Sequence, residues 1–362
     1  MTSSITTAAP TVAARPQGRG NGPVRAWLWL IVAMIAAMVV VGGATRLTES
    51  GLSITEWKPI HGVIPPLNDA EWQEEFAKYQ QIPQYEAVNK GMTLEGFKTI
   101  FWWEWAHRLL GRLIGVVFFL PLIFFWATGR IEPKLRMPLA GIFVLGGIQG
   151  AVGWWMVASG LVNRTDVSQY RLATHLTFAL LILACVVWVV RGMSSLPAAR
   201  ASAGLRSVGA LIVGLVFLQI FLGGLVAGLN AGMTFNTWPL MDGAFIPSGL
   251  FMQEPAWRNI FENVLTVQFN HRMAAYLLLI VTLLHAAQAR GTPYGRLAMM
   301  LALGVVLQAA LGIATLLMVV PIDVALTHQF GAVVVLVTAV IHLRKMWGRA
   351  EDAVMPAQAG IQ

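Results

Sequence analysis

Glu104-Trp105-Ala106-His107-Arg108 and Gln268-Phe269-Asn270-His271-Arg272 each open a long apolar stretch, one in each half of the chain. Ala173-Thr174-His175 and Leu326-Thr327-His328 open two more, in the same order. Polar side chains inside apolar spans are expensive, so a set that recurs twice points to function. Two histidines per half is the ligand set that six-coordinate haem iron requires.

The surrounding composition identifies the solvent. Of 362 residues, 57% are hydrophobic and 12% charged, whereas a soluble domain carries about 25% charged residues. Apolar stretches of roughly 20 residues, enough to cross about 30 Å of hydrocarbon, begin near Trp27, Ala106, Met137, Leu172, Arg206, Gln268, Leu297 and Ala325. The expected fold is therefore an all-α integral membrane protein of eight transmembrane helices, built as two tandem four-helix units. Residues 1–24 form an expected cytoplasmic tail, 25–200 the N-terminal half with an outer loop at about 46–101, 201–349 the C-terminal half, and 350–362 a second cytoplasmic tail.

The formal charge of +8 reflects orientation. With the N-terminus inside, the inner side holds 14 of the 25 Lys and Arg but 3 of the 17 acids. This positive-inside bias places both termini in the cytoplasm. No basic stripe is left over for nucleic acid. The single cysteine, Cys185, has no partner for an intrachain disulfide and reads as a small buried hydrophobe.

Further landmarks repeat. Gly42-Gly43-Ala44 leads into Thr55-Glu56-Trp57-Lys58-Pro59, as Gly223-Gly224-Leu225 leads into Asn236-Thr237-Trp238-Pro239. Gln149 with Gly153 is answered by Gln308 with Gly312. The even-numbered spans all begin at the outer face, each with its histidine within about one turn, or ~5 Å, of the start. Two sites side by side near the outer surface follow, His107 with His175 and His271 with His328.

Arg108 and Arg272 stand where arginine should be scarce. Pairing with haem propionates and snorkelling to headgroups are both open to them. Glu104 shares a helical face with His107, and its counterpart is Gln268. A carboxylate beside a haem can accept protons, which an amide cannot; the other reading is a helix-end acid favoured by the macrodipole. His285 and His342 follow His271 and His328 by 14 residues, which suits either a second haem near the inner surface or interfacial histidines beside Arg290 and Arg344. His61 reads as a loop residue. Glu71 to Tyr79 is expected to form a short amphipathic helix over the site, and Trp102, Trp103, Trp105, Trp154 and Trp155 an interfacial belt.

These motifs together resemble the haem A synthase family, in the branch shared by proteobacteria and mitochondria. The resemblance runs from the first span to the eighth and rests on Glu104 to Arg108, on Asn270-His271-Arg272 and on both Thr-His pairs. It implies a haem-dependent membrane oxidoreductase that oxidises a porphyrin methyl group of haem O to the formyl of haem A for terminal oxidases. Carried over, His271 and His328 bind haem b, His107 and His175 mark the haem O site, and Glu104 is tied to activity. Partners implied are haem O, haem A, an electron donor, haem O synthase or oxidase assembly factors, and membrane lipid; the apolar exterior is also compatible with a homo-oligomer. Cysteine pairs found in an outer loop of some members are missing here. Rival readings are a diheme b-type electron-transfer cytochrome and a haem carrier.

Overall fold

The computed structural model describes residues 22–194 and 200–348, and all regular structure within them is helical. Eight helices are long and apolar enough to cross a membrane. The first four are α1 (Gly22–Leu47), α4 (Leu94–Ala127), α5 (Pro133–Val157) and α6 (Gln169–Gly192). The second four are α7 (Ala203–Gly228), α9 (Val264–Gln288), α10 (Gly295–Leu317) and α11 (Ile322–Met346). Between α1 and α4 lie the short α2 (Asp69–Tyr79) and α3 (Pro83–Ala87), and between α7 and α9 lies α8 (Asn259–Glu262).

Most helices begin a few residues before the apolar run that betrays them, because capping turns lie outside the hydrocarbon. The largest difference is α4, which starts at Leu94 rather than Ala106. Thr93 caps it by accepting from the Gly96 N–H. Its extra turns carry Phe97, Ile100 and Phe101 into a satellite core with Trp72, Phe76 and Tyr79 of α2. The outer loop therefore ends at Thr93. The expected amphipathic helix is α2, capped by Asn68. Helix α1 already includes Gly22 to Val24 of the expected tail, and residues 1–21 and 349–362 lie outside the described residues.

Helices α1, α6, α7 and α11 form the seam of the molecule: α6 packs on α7 and α11, and α1 packs on α11. The main apolar core lies along it, with Leu183, Val186, Val190, Ile212 and Leu336 buried. At the outer end of α7, Gly224 and Gly228 press on the backbone of α6. A Cβ there would meet the Cα atoms of Ala173 and Gln169 at 2.7 and 2.6 Å. Small residues four apart are what let membrane helices approach closely.

His285 of α9 and His342 of α11 lie toward the ends of their helices, remote from His271 and His328. Both are buried, and their Nε2 atoms are 2.8 Å apart in a direct hydrogen bond.

Gly228→Leu should destabilise the protein by about 1–3 kcal/mol or more through overpacking. Gly214→Ala, where a Cβ meets nothing within 4 Å, should be neutral or stabilising. Thermal melts of both variants in nanodiscs check this.

Candidate functional site

His107, His175, His271 and His328 are half-buried, each lying against a glycine of a neighbouring helix. A Cβ at Gly42 of α1 would come within 3.3 Å of the His107 ring, and one at Gly153 of α5 within 3.0 Å of His175. In the other half the equivalent approaches are Gly223 of α7 to His271, 3.2 Å, and Gly312 of α10 to His328, 2.9 Å. His107 and His175 are carried by α4 and α6 of the first half, and His271 and His328 by α9 and α11 of the second.

Three of the four rings are also gripped by a glutamine one turn before the glycine. Gln149 Nε2 lies 3.1 Å from His175 Nδ1 and donates to the His175 carbonyl at 3.0 Å. Gln308 does the same for His328, at 3.1 and 2.7 Å. Gln219, which the sequence reading missed, holds His271 at 3.1 Å on both atoms. Its spacing to Gly223 repeats Gln149 to Gly153, a signal available in the sequence. The fourth position, one turn before Gly42, is Met38, and among the described residues the His107 ring has no recorded hydrogen bond.

Glu104, 2% exposed, ties the first outer loop to α4. It accepts from Ser53 Oγ at 2.8 Å, the Ile54 N–H at 2.7 Å, and Arg108 Nε and Nη2 at 3.0 and 2.5 Å. Arg108 donates onward to the carbonyls of Glu56 and Ile54, and Arg112 to those of Pro59 and Lys58. In the second half Gln268 donates to the carbonyls of Ala231 and Thr234, both at 2.6 Å, and accepts from Arg272 Nη2. Arg272 in turn binds the carbonyls of Thr237 and Phe235. The acid-to-amide change therefore follows hydrogen-bond polarity. Loop one offers donors, which an acid takes, and loop two offers carbonyls, which only an amide can bind.

The residues fit a haem in each half. Each pair supplies two imidazoles from two helices, and the glycines let the rings lie flat on their neighbours. The Oε1 atoms of Gln149, Gln219 and Gln308 are buried without a partner, orphaned acceptors of the kind that mark a ligand or water site. Trp154, beside Gly153, stacks on Trp57 at 5.8 Å and lies under the Arg108 guanidinium. Trp102, Trp103 and Trp155 are exposed at the outer end, as in a belt. His61 is exposed in a short 3-10 turn.

These features define an eight-span helical membrane protein in which four histidines, two in each half, each lie against a glycine of a neighbouring helix. The model of the cytochrome oxidase assembly protein family matches residues 25–340, and the chain belongs to that family. It is 59% identical to a heme A synthase of Allorhizobium ampelinum, over 94% of this chain and 96% of that one. It is 61% identical to one of Chelativorans sp., over 90% and 91%, and 58% to one of Agrobacterium fabrum, over 93% of each.

Helix α2 is fastened to the first loop by charge. Lys58 and then Lys78 hydrogen-bond Glu56 and hold its carboxyl below the ordinary range. Partial burial pulls the Lys78 ammonium down, but bonds to Glu74, Glu56 and Glu75 outweigh it and the net shift is upward. Lowered carboxylates contribute above their ordinary pKa and lose that contribution as pH falls through the lowered one. The raised lysine contributes below its ordinary pKa of about 10.4 and loses that contribution as pH rises through the raised one. Corrected amide exchange of α2 should be flat from about pH 5 to 10 and accelerate below about pH 4; Lys78→Met should accelerate it across the flat range and leave it little changed below about pH 4.

Proposed function

We propose that this protein is a haem A synthase of the cytoplasmic membrane, with both termini cytoplasmic, descended from a duplicated four-helix unit whose halves now differ in task. It oxidises one methyl group of haem O to a formyl by successive hydroxylations, yielding haem A for a terminal oxidase. Near-full-length similarity to heme A synthases, together with four histidines gathered in two glycine-lined clefts, carries the reading.

His271 and His328 hold a haem b in the C-terminal half, and His107 and His175 hold haem O in the N-terminal half. Bound haem b supplies one-electron redox chemistry. The division rests on how the imidazoles are held. Both C-terminal rings are fixed by glutamine, which suits a permanent cofactor. In the N-terminal half His175 is fixed and His107 is not, which suits a site that exchanges substrate for product and frees a position on iron, since six-coordinate iron has none for O2. Arg108 and Arg272 guide the propionates with the N–H groups their loops leave over; Arg272 Nε is buried without a partner. Glu104 supports activity by holding Arg108 and the loop over His107.

The test is to purify the protein from cells making haem O and identify every extracted porphyrin. Haem b with haem A or its hydroxymethyl precursor is expected. Glu104→Ala should cut oxidised product by about 100-fold, the scale of misplacing a site by about 1 Å, with haem b retained; His271→Ala should lose haem b. Two haem b per chain, indifferent to haem O supply, would instead mark a diheme cytochrome. Met38→Gln should retain haem O more tightly and slow turnover, read from haem O off-rates and single-turnover kinetics.

A further inference from the structure

The two outer loops end in apolar surfaces that the proposed chemistry does not use. Ile60, Ile64 and Leu67 in the first, and Leu240, Phe245 and Ile246 in the second, are 45–78% exposed. In water they would form two large apolar patches, which soluble surfaces avoid. The depth at which these loops are tied says otherwise.

The first loop is held by Arg112, which donates to the carbonyls of Lys58 and Pro59. From Ala127, the inner end of α4, Arg112 lies 15 residues out, a rise of roughly 22 Å. Across about 30 Å of hydrocarbon, its Cα is therefore ~8 Å below the outer boundary. The second loop is held by Tyr276, whose hydroxyl accepts from Trp238 Nε1 at 2.9 Å. It lies 12 residues from Gln288, the inner end of α9, a rise of roughly 18 Å, and so ~12 Å below that boundary. Side chains on these helices lean toward the N-terminus, here outward, by about a turn. That brings both anchors to the outermost part of the hydrocarbon.

Irregular backbone at that depth needs its carbonyls satisfied within the protein. Arg108 and Arg112 bind four carbonyls of the first loop, and Arg272 binds those of Phe235 and Thr237 in the second. Exposed ionisable side chains at each bend, Lys58 and His61 in the first loop and Asp242 in the second, limit the depth to the headgroup boundary.

We propose that segments 57–67 and 238–246 are interfacial loops seated in the outer leaflet, with phospholipid acyl chains as their partner. Each closes its histidine cleft on the lipid side through the contacts of Glu104 and Arg108 or Gln268 and Arg272. As a consequence that rests on the haem O reading, the first loop is the wall a membrane-dissolved tetrapyrrole crosses to reach His107.

The placement is tested without activity. In a Cys185→Ser background, nitroxides at Ile64→Cys and Ile246→Cys are compared in phospholipid nanodiscs with Ile123→Cys on the lipid-facing side of α4 and Glu74→Cys on the exposed face of α2. Power saturation should give an oxygen-to-nickel-chelate accessibility ratio at 64 and 246 near that of 123 and several-fold above that of 74. A ratio equal to that at 74 would place the loops in water and overturn the proposal. Low access to both reagents would overturn it in favour of a protein partner or second copy. Failure to oxidise haem O, with the ratios as expected, would count against the proposed function alone.

Discussion

Hydrocarbon offers a polar atom no alternative partner, and this constraint organises the outer half of the molecule. An imidazole kept near the membrane boundary must be approached by something small enough to leave room for a ligand and polar enough to fix the ring. Glycine meets the first need and glutamine, one turn away on the same face, meets the second. A single helical repeat, Gln-x-x-x-Gly, therefore builds a histidine cradle, and it appears on α5, α7 and α10.

The same constraint explains the arginines. A guanidinium carries five donors in a rigid fork, which makes it an efficient cap for carbonyls that have left secondary structure without leaving the membrane. Arg108, Arg112 and Arg272 each bind two or more loop carbonyls. The acid at 104 and the amide at 268 complete these knots with opposite polarity. Exchanging either residue for the other would set like against like: an amide N–H against the Ile54 N–H, or carboxylate oxygens against the carbonyls of Ala231 and Thr234. Buried mismatches of this kind cost roughly 1–3 kcal/mol each, so the difference is fixed by the loops whatever chemistry the sites perform.

Legibility in the sequence divided along physical lines. Span number rests on length and hydropathy, which survive any detail of packing. Gln219 carried its signal but was passed over because its counterpart in the first half is Met38, so comparison of the halves concealed it. The direct bond between His285 and His342 could not be read, since a 14-residue spacing fixes depth and face but not the distance between two helices. The start of α4 was misplaced because hydropathy reports the membrane and not the helix; Leu94 to Trp103 are helical for the sake of α2. The hydrogen bonds of Glu104 depend on the backbone of Ser53 and Ile54, which no pattern of side chains encodes.

The seam gives the two clefts their relation. His175 and His328 are carried by α6 and α11, which pack against one another, while His107 and His271 are on α4 and α9, outside the seam. The fixed histidine of the first half is thus carried by a seam helix, and the unfastened one by a helix outside the seam that is tied to the first loop through Glu104 and Arg108, its ring lying against Gly42 of α1. On the proposed reading this ordering is what a two-haem oxidase needs. Electron delivery improves with rigidity and short separation, so it belongs at the seam, where glycine contacts hold α6 to α7. Substrate exchange requires a ligand and a loop that can give way, so it belongs at the periphery. His107, held by glycine but by no amide, lies where those demands meet.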